Sequence, residues 1–388
     1  MYKHLIRVRA EEFCAPESLG RREMLVLGDR ILAVQPTVAP LVEAMGAENV
    51  QDISVHRVTP GLIDQHMHLL GGGDGDGPLA RMPELCAQEI LLSGITTAAT
   101  LLGSEMRFKT LRGLLHKAEG EECRGLSTLV YTGSMGAEPV TILEDAFSDI
   151  ALFGKIIGAK AAVADPLYNT RPEMLNALAI QLRQARAQTG KPCILHVHIG
   201  RASQGLEPLF RLCEQTGLPL EQVVPTHVNR VAEVTPVFRQ SIEWIKQGGV
   251  IDITCCLGPL DGIRSGMDTV KAVLEALEAG VPPCRITLTS DAGVAVPDPV
   301  LGCRQVPPSI LMRDVIRLVQ SGLPWETALA FVTVNPAQRL GLSKHKGRLA
   351  VGYDADFVCL TDDSKVAGVY ASGRFHDKTV GLKLYRND

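Results

Sequence analysis

The chain lacks an excess of charge of either sign. Its lysines and arginines number 39 and its aspartates and glutamates 43, so the formal net charge at pH 7 is −4 with histidines neutral. Nucleic acids and anionic membranes attract basic surfaces, so we expect neither as a partner. No apolar run approaches the ~18 residues of a membrane span, and the N-terminal MYKHLIRVRAEEF lacks the apolar segment of a secretory leader. We therefore expect a cytoplasmic protein that binds a small molecule.

Cysteine pairs at metal-binding spacing are also missing. The ten cysteines are scattered along the chain, and none begins a Cys-x-x-Cys pair of the kind that holds zinc through thiolates. A chain of 388 residues with 46% hydrophobic and 21% charged residues can bury a large core without disulfide bonds. We expect most of the cysteines to be reduced core residues.

Short apolar runs alternate with helical patterns from residue 60 onward. The helical segments repeat apolar residues with a period near 3.6, and several end at a glycine. Repeated strand and helix units predict parallel strands, and eight of them predict a closed (β/α)8 TIM-type barrel. An open doubly wound sheet would carry a Gly-x-Gly-x-x-Gly motif after strand one, and this chain does not. The predicted strands are 61–68, 96–102, 127–132, 155–163, 193–199, 222–228, 250–255 and 286–291.

The two ends of the chain predict a second, smaller unit. Segments 22–36 and 347–374 are rich in valine and leucine, alternate with polar residues and contain frequent turn signals, as small antiparallel strands do. Neither end has enough strands to bury a core alone. We predict a small β-sandwich domain built from 1–58 and 347–388, joined to a barrel domain at 59–346.

Polar residues interrupt the predicted barrel strands at their C-terminal ends. His66 and His68 close strand one, and side chains two apart in a strand point the same way. This pair alone is more often incidental than metal-binding. However, His198, His227 and Asp291 stand at the ends of strands five, six and eight, all of which open onto the face where barrel enzymes gather their catalytic groups. Histidine and aspartate are seldom buried without a partner, so these residues predict a metal site.

Strand four contains a lysine among small and apolar residues. Lys160 lies in the run KIIGAKAAVAD, where a buried charge would be costly, so an ion-paired or snorkelling lysine is one interpretation. The other is functional, because burial lowers the pKa of a lysine and frees its amine. A neutral amine can add carbon dioxide and become a carbamate, which can bridge two metal ions.

These motifs together resemble the amidohydrolase superfamily over nearly the whole chain. PGLIDQHMH, the glycine run that follows it, HIG, THVNR, TSDAG and the tail GRLAVGYDADFVCL are most similar to the bacterial isoaspartyl dipeptidases. The resemblance implies two divalent ions, best suited to zinc, with N6-carboxylysine at Lys160 as their bridge. It assigns His66 and His68 to one ion, His198 and His227 to the other, and Asp291 to the first.

The resemblance also implies an activity. It implies hydrolysis of an amide, most closely a β-aspartyl dipeptide, by a water activated between the two ions, with Asp291 as the catalytic proton acceptor. Hydrolysis of a related cyclic amide, N-acyl amino acid or carbamoyl compound is the alternative within enzymes. A binding or scaffold homologue without metal is the alternative outside them. The substrate is expected to carry an amide and a carboxylate, and the protein to be a homo-oligomer.

Substrate contacts follow from the same resemblance. Arg230 would clamp a substrate carboxylate, although a surface ion pair is the alternative. Gly73, Asp74 and Asp76 belong to a loop whose backbone can approach a ligand closely, and Ser104 matches a family threonine that contacts substrate.

Four positions depart from the family pattern. Gly75, Met135 and Leu167 stand where the family has an acid, a tyrosine and an arginine that bind substrate. His196 stands where the family has an apolar residue, and we expect it in the core or behind a ligand. The residues therefore predict the metal centre, but not the family's contacts to an isoaspartyl group.

Overall fold

The computed structural model describes residues 5–46, 50–73, 77–231 and 236–377. The N-terminal strands are β1 (Leu5–Phe13), β2 (Arg22–Leu27), β3 (Arg30–Gln35) and β4 (Val50–Pro60).

Eight parallel strands follow and form the centre of the molecule. They are β5 (Leu62–Met67), β6 (Ile95–Thr100), β7 (Ser127–Gly133), β8 (Ile156–Val163), β9 (Ile194–Ile199), β10 (Val223–Thr226), β11 (Ile251–Thr254) and β12 (Ile286–Thr289). Each strand is hydrogen-bonded to the next in chain order. All eight lie within about two residues of their predicted positions, because strands buried on both faces read as continuous apolar runs.

The barrel closes where β12 meets β5. The segment after β12 completes the contact, since the amide of His68 donates to the carbonyl of Ala292 at 2.8 Å and that of Asp291 donates to the carbonyl of His66 at 3.2 Å. The predicted barrel fold is thus confirmed. Closure also places Asp291 beside the two histidines of strand one.

The remaining strands come after the barrel. A hairpin of β13 (Ala295–Asp298) and β14 (Gly302–Gln305) follows β12. Three strands end the described chain: β15 (Phe357–Leu360), β16 (Val366–Ala371) and β17 (Arg374–Asp377).

Both chain ends contribute to one seven-stranded sheet. Its order is β17-β16-β15-β4-β1-β2-β3, with β4 parallel to β1 and antiparallel to β15. Its apolar face has its own core, which includes Phe13, Met24 and Phe357. The prediction of a separate β-unit built from both ends is confirmed.

One short helix, α1 (Ala39–Ala44), follows β3 and packs through Val42 against the chain-end sheet. The other helices surround the barrel. They are α2 (Ala87–Leu92), α3 (Leu111–Cys123), α4 (Ala146–Leu152), α5 (Pro172–Thr189), α6 (Glu207–Thr216), α7 (Val237–Lys246), α8 (Thr269–Glu278), α9 (Ile310–Gln320), α10 (Trp325–Ala330) and α11 (Val334–Arg339). None of these helices combines the length and the apolar composition needed to cross a bilayer.

The longest helix, α5, shows how the sequence sets these elements. Pro172 occupies its first turn, and Gly190 ends it in the left-handed conformation at φ 70°. Leu175, Leu178 and Leu182 repeat on one face and are buried. That spacing is what attaches an amphipathic helix to the sheet beneath it.

Candidate metal centre

A cavity of about 550 Å³ opens at the C-terminal ends of the barrel strands. All six side chains predicted as metal ligands line it and are buried: His66, His68, Lys160, His198, His227 and Asp291. A larger groove of about 1110 Å³ lies between the chain-end sheet and the barrel, but none of these six residues lines it. The structure therefore brings the predicted ligands together in one place.

Three donor atoms converge at the His66 side of the cavity. Oδ1 of Asp291 lies 3.2 Å from Nε2 of His66 and 3.3 Å from Nε2 of His68, yet this oxygen makes no hydrogen bond. The three side chains offer ligand atoms that all lie within 4.8 Å of one another. A carboxylate and two imidazoles that approach closely without bonding to each other fit a shared cation.

His198 and His227 form the other side, with ring centroids 4.8 Å apart. Nδ1 of His227 lies 2.8 Å from Oγ1 of Thr254, which leaves Nε2 free. Burial lowers the pKa of His198 to about 3 and that of His227 well below its usual value. Both imidazoles are therefore neutral, as metal ligands must be.

The backbone at two of these residues is strained. His227 and Asp291 have φ angles of 66° and 55°, in the left-handed region that side chains other than glycine rarely adopt. Such strain persists only where the surroundings hold it, and it gathers at functional sites. At His227 and Asp291 this backbone conformation directs the side chain into the cavity just after the strand ends.

Lys160 lies on β8 between the two groups of ligands. Its side chain is 1% exposed, and Nζ makes no hydrogen bond or ion pair with any described residue. Burial lowers its pKa to about 7, despite opposing attraction from Asp291 and Asp252. The surroundings thus favour neither an ion-paired nor a snorkelling lysine. They favour an amine that is neutral for a large part of the time near pH 7.

Glu105 is part of the site although the sequence argument missed it. It lies in a 3-10 turn, Ser104–Arg107, that follows β6. Its Oε1 is 2.7 Å from Nδ1 of His68. Gly103 makes this approach possible, because a Cβ there would lie 2.7 Å from Cε1 of His68. Burial disfavours a charged His68, but Glu105 and Asp291 outweigh it and raise the pKa of His68 to about 9. The two carboxylates thus favour positive charge at this ring, which a bound metal ion would supply in place of the proton. The signal available in the sequence was an acidic residue just past the end of a predicted barrel strand.

Asp165, also missed, contacts the second pair of histidines. Its Oδ2 lies 3.3 Å from Nε2 of His198. Burial favours the neutral acid, but the hydrogen bond with His198 and two backbone amides outweigh it and lower the pKa of Asp165 to about 2. Since Asp165 holds one nitrogen of His198, the other nitrogen, Nδ1, is left for a ligand.

A polar network fills the barrel beneath the site. Nε2 of His196 lies 3.0 Å from Nδ1 of His66, so His196 stands behind a predicted ligand. Asp252 accepts hydrogen bonds from Thr226 at 2.6 Å and Thr289 at 2.7 Å, and Thr226 also approaches Nδ1 of His66 at 3.4 Å. These contacts fix the ring of His66 from below.

The predicted substrate contacts and the positions that depart from the family pattern lie in different parts of the chain. Gly73, Ser104 and Arg230 line the cavity. Met135 and Leu167, two of the positions that depart from the family pattern, line it as well. Asp74, Gly75 and Asp76 lie outside the described residues.

Arg230 points toward the His198 side of the cavity. One of its terminal nitrogens (NH1) lies 3.3 Å from Nε2 of His198. Its Nε is buried without a partner, and it forms no ion pair with any carboxylate in the described parts of the chain. The surface ion pair considered for this residue is therefore not found among them.

Comparisons with known proteins agree on one family and differ on substrate. The sequence model described as the amidohydrolase family matches residues 246–368. The mouse N-acetylglucosamine-6-phosphate deacetylase is 41% identical over 400 aligned positions, which cover 92% of this chain and 91% of the mouse protein. The match to the human protein of the same name is 44% identical but spans only 19% of each chain.

Solved structures extend the comparison. The β-aspartyl dipeptidase of Fervidobacterium islandicum AW-1 in complex with β-Asp-Leu superimposes with a TM-score of 0.86 at 29% identity, covering 99% of this chain and 100% of that one. Molinate hydrolase superimposes with a TM-score of 0.68 at 16% identity, covering 97% of this chain and 95% of that one, which concerns the fold alone.

Proposed function

The chain belongs to the amidohydrolase superfamily, and we propose that it is a metal-dependent hydrolase that cleaves an amide bond of a small molecule, most closely one that carries a carboxylate or another anionic group. The observation that supports this most directly is the convergence of unpartnered donor atoms at the barrel mouth. Nζ of Lys160 and Oδ1 of Asp291 are both buried and make no hydrogen bond among the described residues. Buried polar atoms of a native protein are normally satisfied, so these two await a ligand.

The donor set fits two divalent ions. We assign His66, His68 and Asp291 to one ion and His198 and His227 to the other, with carboxylated Lys160 as the bridge. Zinc suits this mixture of imidazoles and carboxylates. When bound, such ions lower the pKa of water and polarise the amide carbonyl, which brings hydrolysis within reach at neutral pH.

Asp291 is the residue that we propose moves the proton. Burial favours its neutral form, but the contact with His68 outweighs that effect and lowers its pKa, so its carboxylate is charged and able to accept. It takes a proton from the attacking water and delivers it to the amide nitrogen as the carbon–nitrogen bond breaks. One water is consumed, and the products are a carboxylic acid and an amine.

Two substrates have specific support. A β-aspartyl dipeptide is supported by the similarity to the F. islandicum enzyme, whose structure holds β-Asp-Leu. An N-acetylated, phosphorylated amino sugar is supported by the mouse relative. Arg230 would bind the carboxylate of the first or the phosphate of the second, with Ser104 and Gly73 nearby in the cavity. Cyclic amides, N-acyl amino acids and carbamoyl compounds belong to the same reaction class.

The test combines metal analysis with a substrate panel. Protein purified after growth with zinc should contain close to two ions per chain and should hydrolyse one of β-Asp-Leu, N-acetylglucosamine 6-phosphate, an N-acyl amino acid or a cyclic ureide. A chelator should abolish the activity, and zinc should restore it. A folded protein without metal would support a binding or scaffold homologue instead. A metal-loaded protein inert toward the whole panel would contradict the proposal.

A further inference from the structure

The loop between β11 and α8, residues 255–268, forms one wall of the cavity at the barrel mouth. Leu257 and Ile263 line the cavity from this loop, as does Arg230 from the loop after β10. The β11–α8 loop contains one short 3-10 turn, Pro259–Asp261, and otherwise follows an irregular path. Such a loop keeps a fixed position through its contacts with neighbouring elements, so these contacts set the shape of the wall.

Asp261 connects this loop to helix α9. Its side chain is buried, and its two oxygens accept hydrogen bonds from the two terminal nitrogens of Arg313 at 2.9 and 3.0 Å. The same arginine donates to the carbonyl of Cys255, the first residue of the loop, at 3.2 Å. Arg313 therefore joins the start of the β11–α8 loop to its middle and holds both against α9.

The hairpin of β13 and β14 contacts the same part of the loop. A terminal nitrogen of Arg304, on β14, lies 3.5 Å from Oδ1 of Asp261. Gly262, the next residue, has a φ of 88° and approaches the hairpin closely, since a Cβ there would lie 3.2 Å from the carbonyl oxygen of Pro297. Because Pro297 also lines the cavity, Asp261 lies where two parts of the cavity wall meet.

The end of the β11–α8 loop holds the backbone at Arg230. The amide of Met267 donates to the carbonyl of Asn229 at 2.8 Å, and the side-chain nitrogen of Asn229 donates to the carbonyl of Met267 at 2.9 Å. Gly266 lies against the following residue, because a Cβ there would lie 3.2 Å from the carbonyl oxygen of Arg230. A shift of the loop would therefore move the backbone from which the Arg230 side chain reaches the cavity.

We infer, on the basis of the proposed function, that Asp261 is a positioning residue for the binding of an anionic substrate group. Its pair with Arg313 holds the β11–α8 loop against Arg230 and so keeps the Arg230 guanidinium where the anion binds. A bidentate pair of arginine and carboxylate fixes geometry as well as contributing energy, and a small misplacement of a binding group is costly. Asp261 acts from a distance, because it is not among the residues that line the described part of the cavity.

The first experiment measures the loop without using activity. Amide hydrogen exchange of the zinc-loaded wild type is compared with that of Asp261→Asn, which keeps the size of the side chain and removes its charge. Exchange should become about tenfold faster in peptides from the loop and from residues 227–231, because weaker contacts make local opening easier. Asp52 forms a similar bidentate pair with Arg7 in the chain-end sheet, at 2.6 and 2.8 Å, so Asp52→Asn should leave both regions unchanged. Wild-type exchange at 227–231 in Asp261→Asn would overturn the inference.

The second experiment uses whichever of β-Asp-Leu and N-acetylglucosamine 6-phosphate the zinc-loaded wild type hydrolyses. In Asp261→Asn the KM should rise about tenfold, while kcat and zinc content stay within about twofold of the wild type, because the proposed metal ligands keep their positions. When Asp261→Asn is combined with Arg230→Gln, KM should equal that of Arg230→Gln alone, since the arginine through which Asp261 acts is gone. A further rise in KM in the double variant would contradict the inference and give Asp261 a general structural role.

A second variant tests the same pair if Asp261→Asn is unstable. Arg313→Lys keeps the positive charge but cannot form two parallel hydrogen bonds with Asp261, so it should also show faster exchange at 227–231. Wild-type exchange there would count against the inference as well. If the wild type hydrolysed no amide at all, the proposed function would fail, whereas the exchange experiment would still show whether Asp261 holds the loop against Arg230.

Discussion

Nδ1 of His68 lies 2.7 Å from Oε1 of Glu105, while Nε2 of the same ring lies 3.3 Å from Oδ1 of Asp291. One carboxylate thus holds the outer nitrogen of the imidazole, and the inner nitrogen is left to face the cavity. This arrangement selects the tautomer that a metal ligand needs and fixes the plane of the ring.

Removing the charge of Glu105 should therefore weaken metal binding without removing a proposed ligand. In Glu105→Gln we expect zinc affinity to fall by about tenfold to a hundredfold, which is typical for partners of metal-binding histidines. Competition with a chromophoric chelator measures the zinc affinity of the variant and of the wild type. Glu89 is exposed on α2, and Glu89→Gln should bind zinc as the wild type does. Wild-type affinity in Glu105→Gln would show that His68 is oriented by other contacts.

Arg230 should affect substrate binding and leave the metals in place. Arg230→Gln removes the fixed charge, and losing a partly buried clamp on a carboxylate costs about 2 kcal/mol or more, so KM should rise at least about thirtyfold. The matched control is chemical: an amide derivative that replaces the substrate carboxylate should be bound equally by both proteins. If KM for the acidic substrate were unchanged, Arg230 would not contact the carboxylate.

His196 should act on the metal centre through His66. Its Nε2 lies 3.0 Å from Nδ1 of His66, but its own Nδ1 is buried without a partner in the described structure. In His196→Leu we expect zinc affinity to fall by about tenfold, since His66 keeps only the longer contact with Thr226.

The stability of His196→Leu distinguishes a role of His196 in positioning His66 from a role in packing the core. An unsatisfied buried nitrogen costs about 1–3 kcal/mol, so removing it should offset the lost hydrogen bond. The free energy of unfolding of the metal-free protein should then stay within about 1 kcal/mol of the wild type. His116 is exposed on α3, and His116→Leu should leave zinc affinity unchanged. A large loss of stability with normal zinc affinity would make His196 a packing residue.

Much of the barrel could be predicted because parallel strands buried on both faces leave few places for polar residues. His66, His198 and Asp291 stood out against apolar runs, and the structure brings them to one cavity. Glu105 and Asp165 could not be found in that way, because they follow the predicted strands 96–102 and 155–163 and do not interrupt the apolar runs of these strands. Their direction depends on local backbone geometry, such as the room that Gly103 provides next to His68.

The polar network beneath the site could not be predicted from the sequence for a different reason. Thr226, Asp252 and Thr289 belong to three neighbouring strands, and only the register of the closed barrel brings their side chains together. The hairpin of β13 and β14 was also not predicted, since its two prolines and Asp298 disguise a four-residue strand pattern. Its contact with Leu79 could come only from the structure.

The sharpest prediction concerns Lys160, whose Nζ is buried without a partner. If its amine carries carbon dioxide, Lys160→Ala removes both oxygens that hold the two ions together. Two cations then lie close to each other with less ligand charge to offset their repulsion, so metal content and turnover should fall together. Small carboxylic acids added with zinc should restore part of both by occupying the vacated space.

Lys160→Arg distinguishes a carbamate from a packed cation. A guanidinium stays protonated and cannot carry carbon dioxide, so this variant should lose metal and activity as the alanine variant does. Lys155 offers a control on the same segment, because its ammonium pairs with Glu122 at 2.5 Å near the surface and Lys155→Arg keeps that charge. Elemental analysis and turnover, measured on the same samples of each variant, distinguish a carbamate at Lys160 from a packed cation. Wild-type metal content in Lys160→Arg would refute the bridged pair of ions, because a permanent cation in that position would repel both of them.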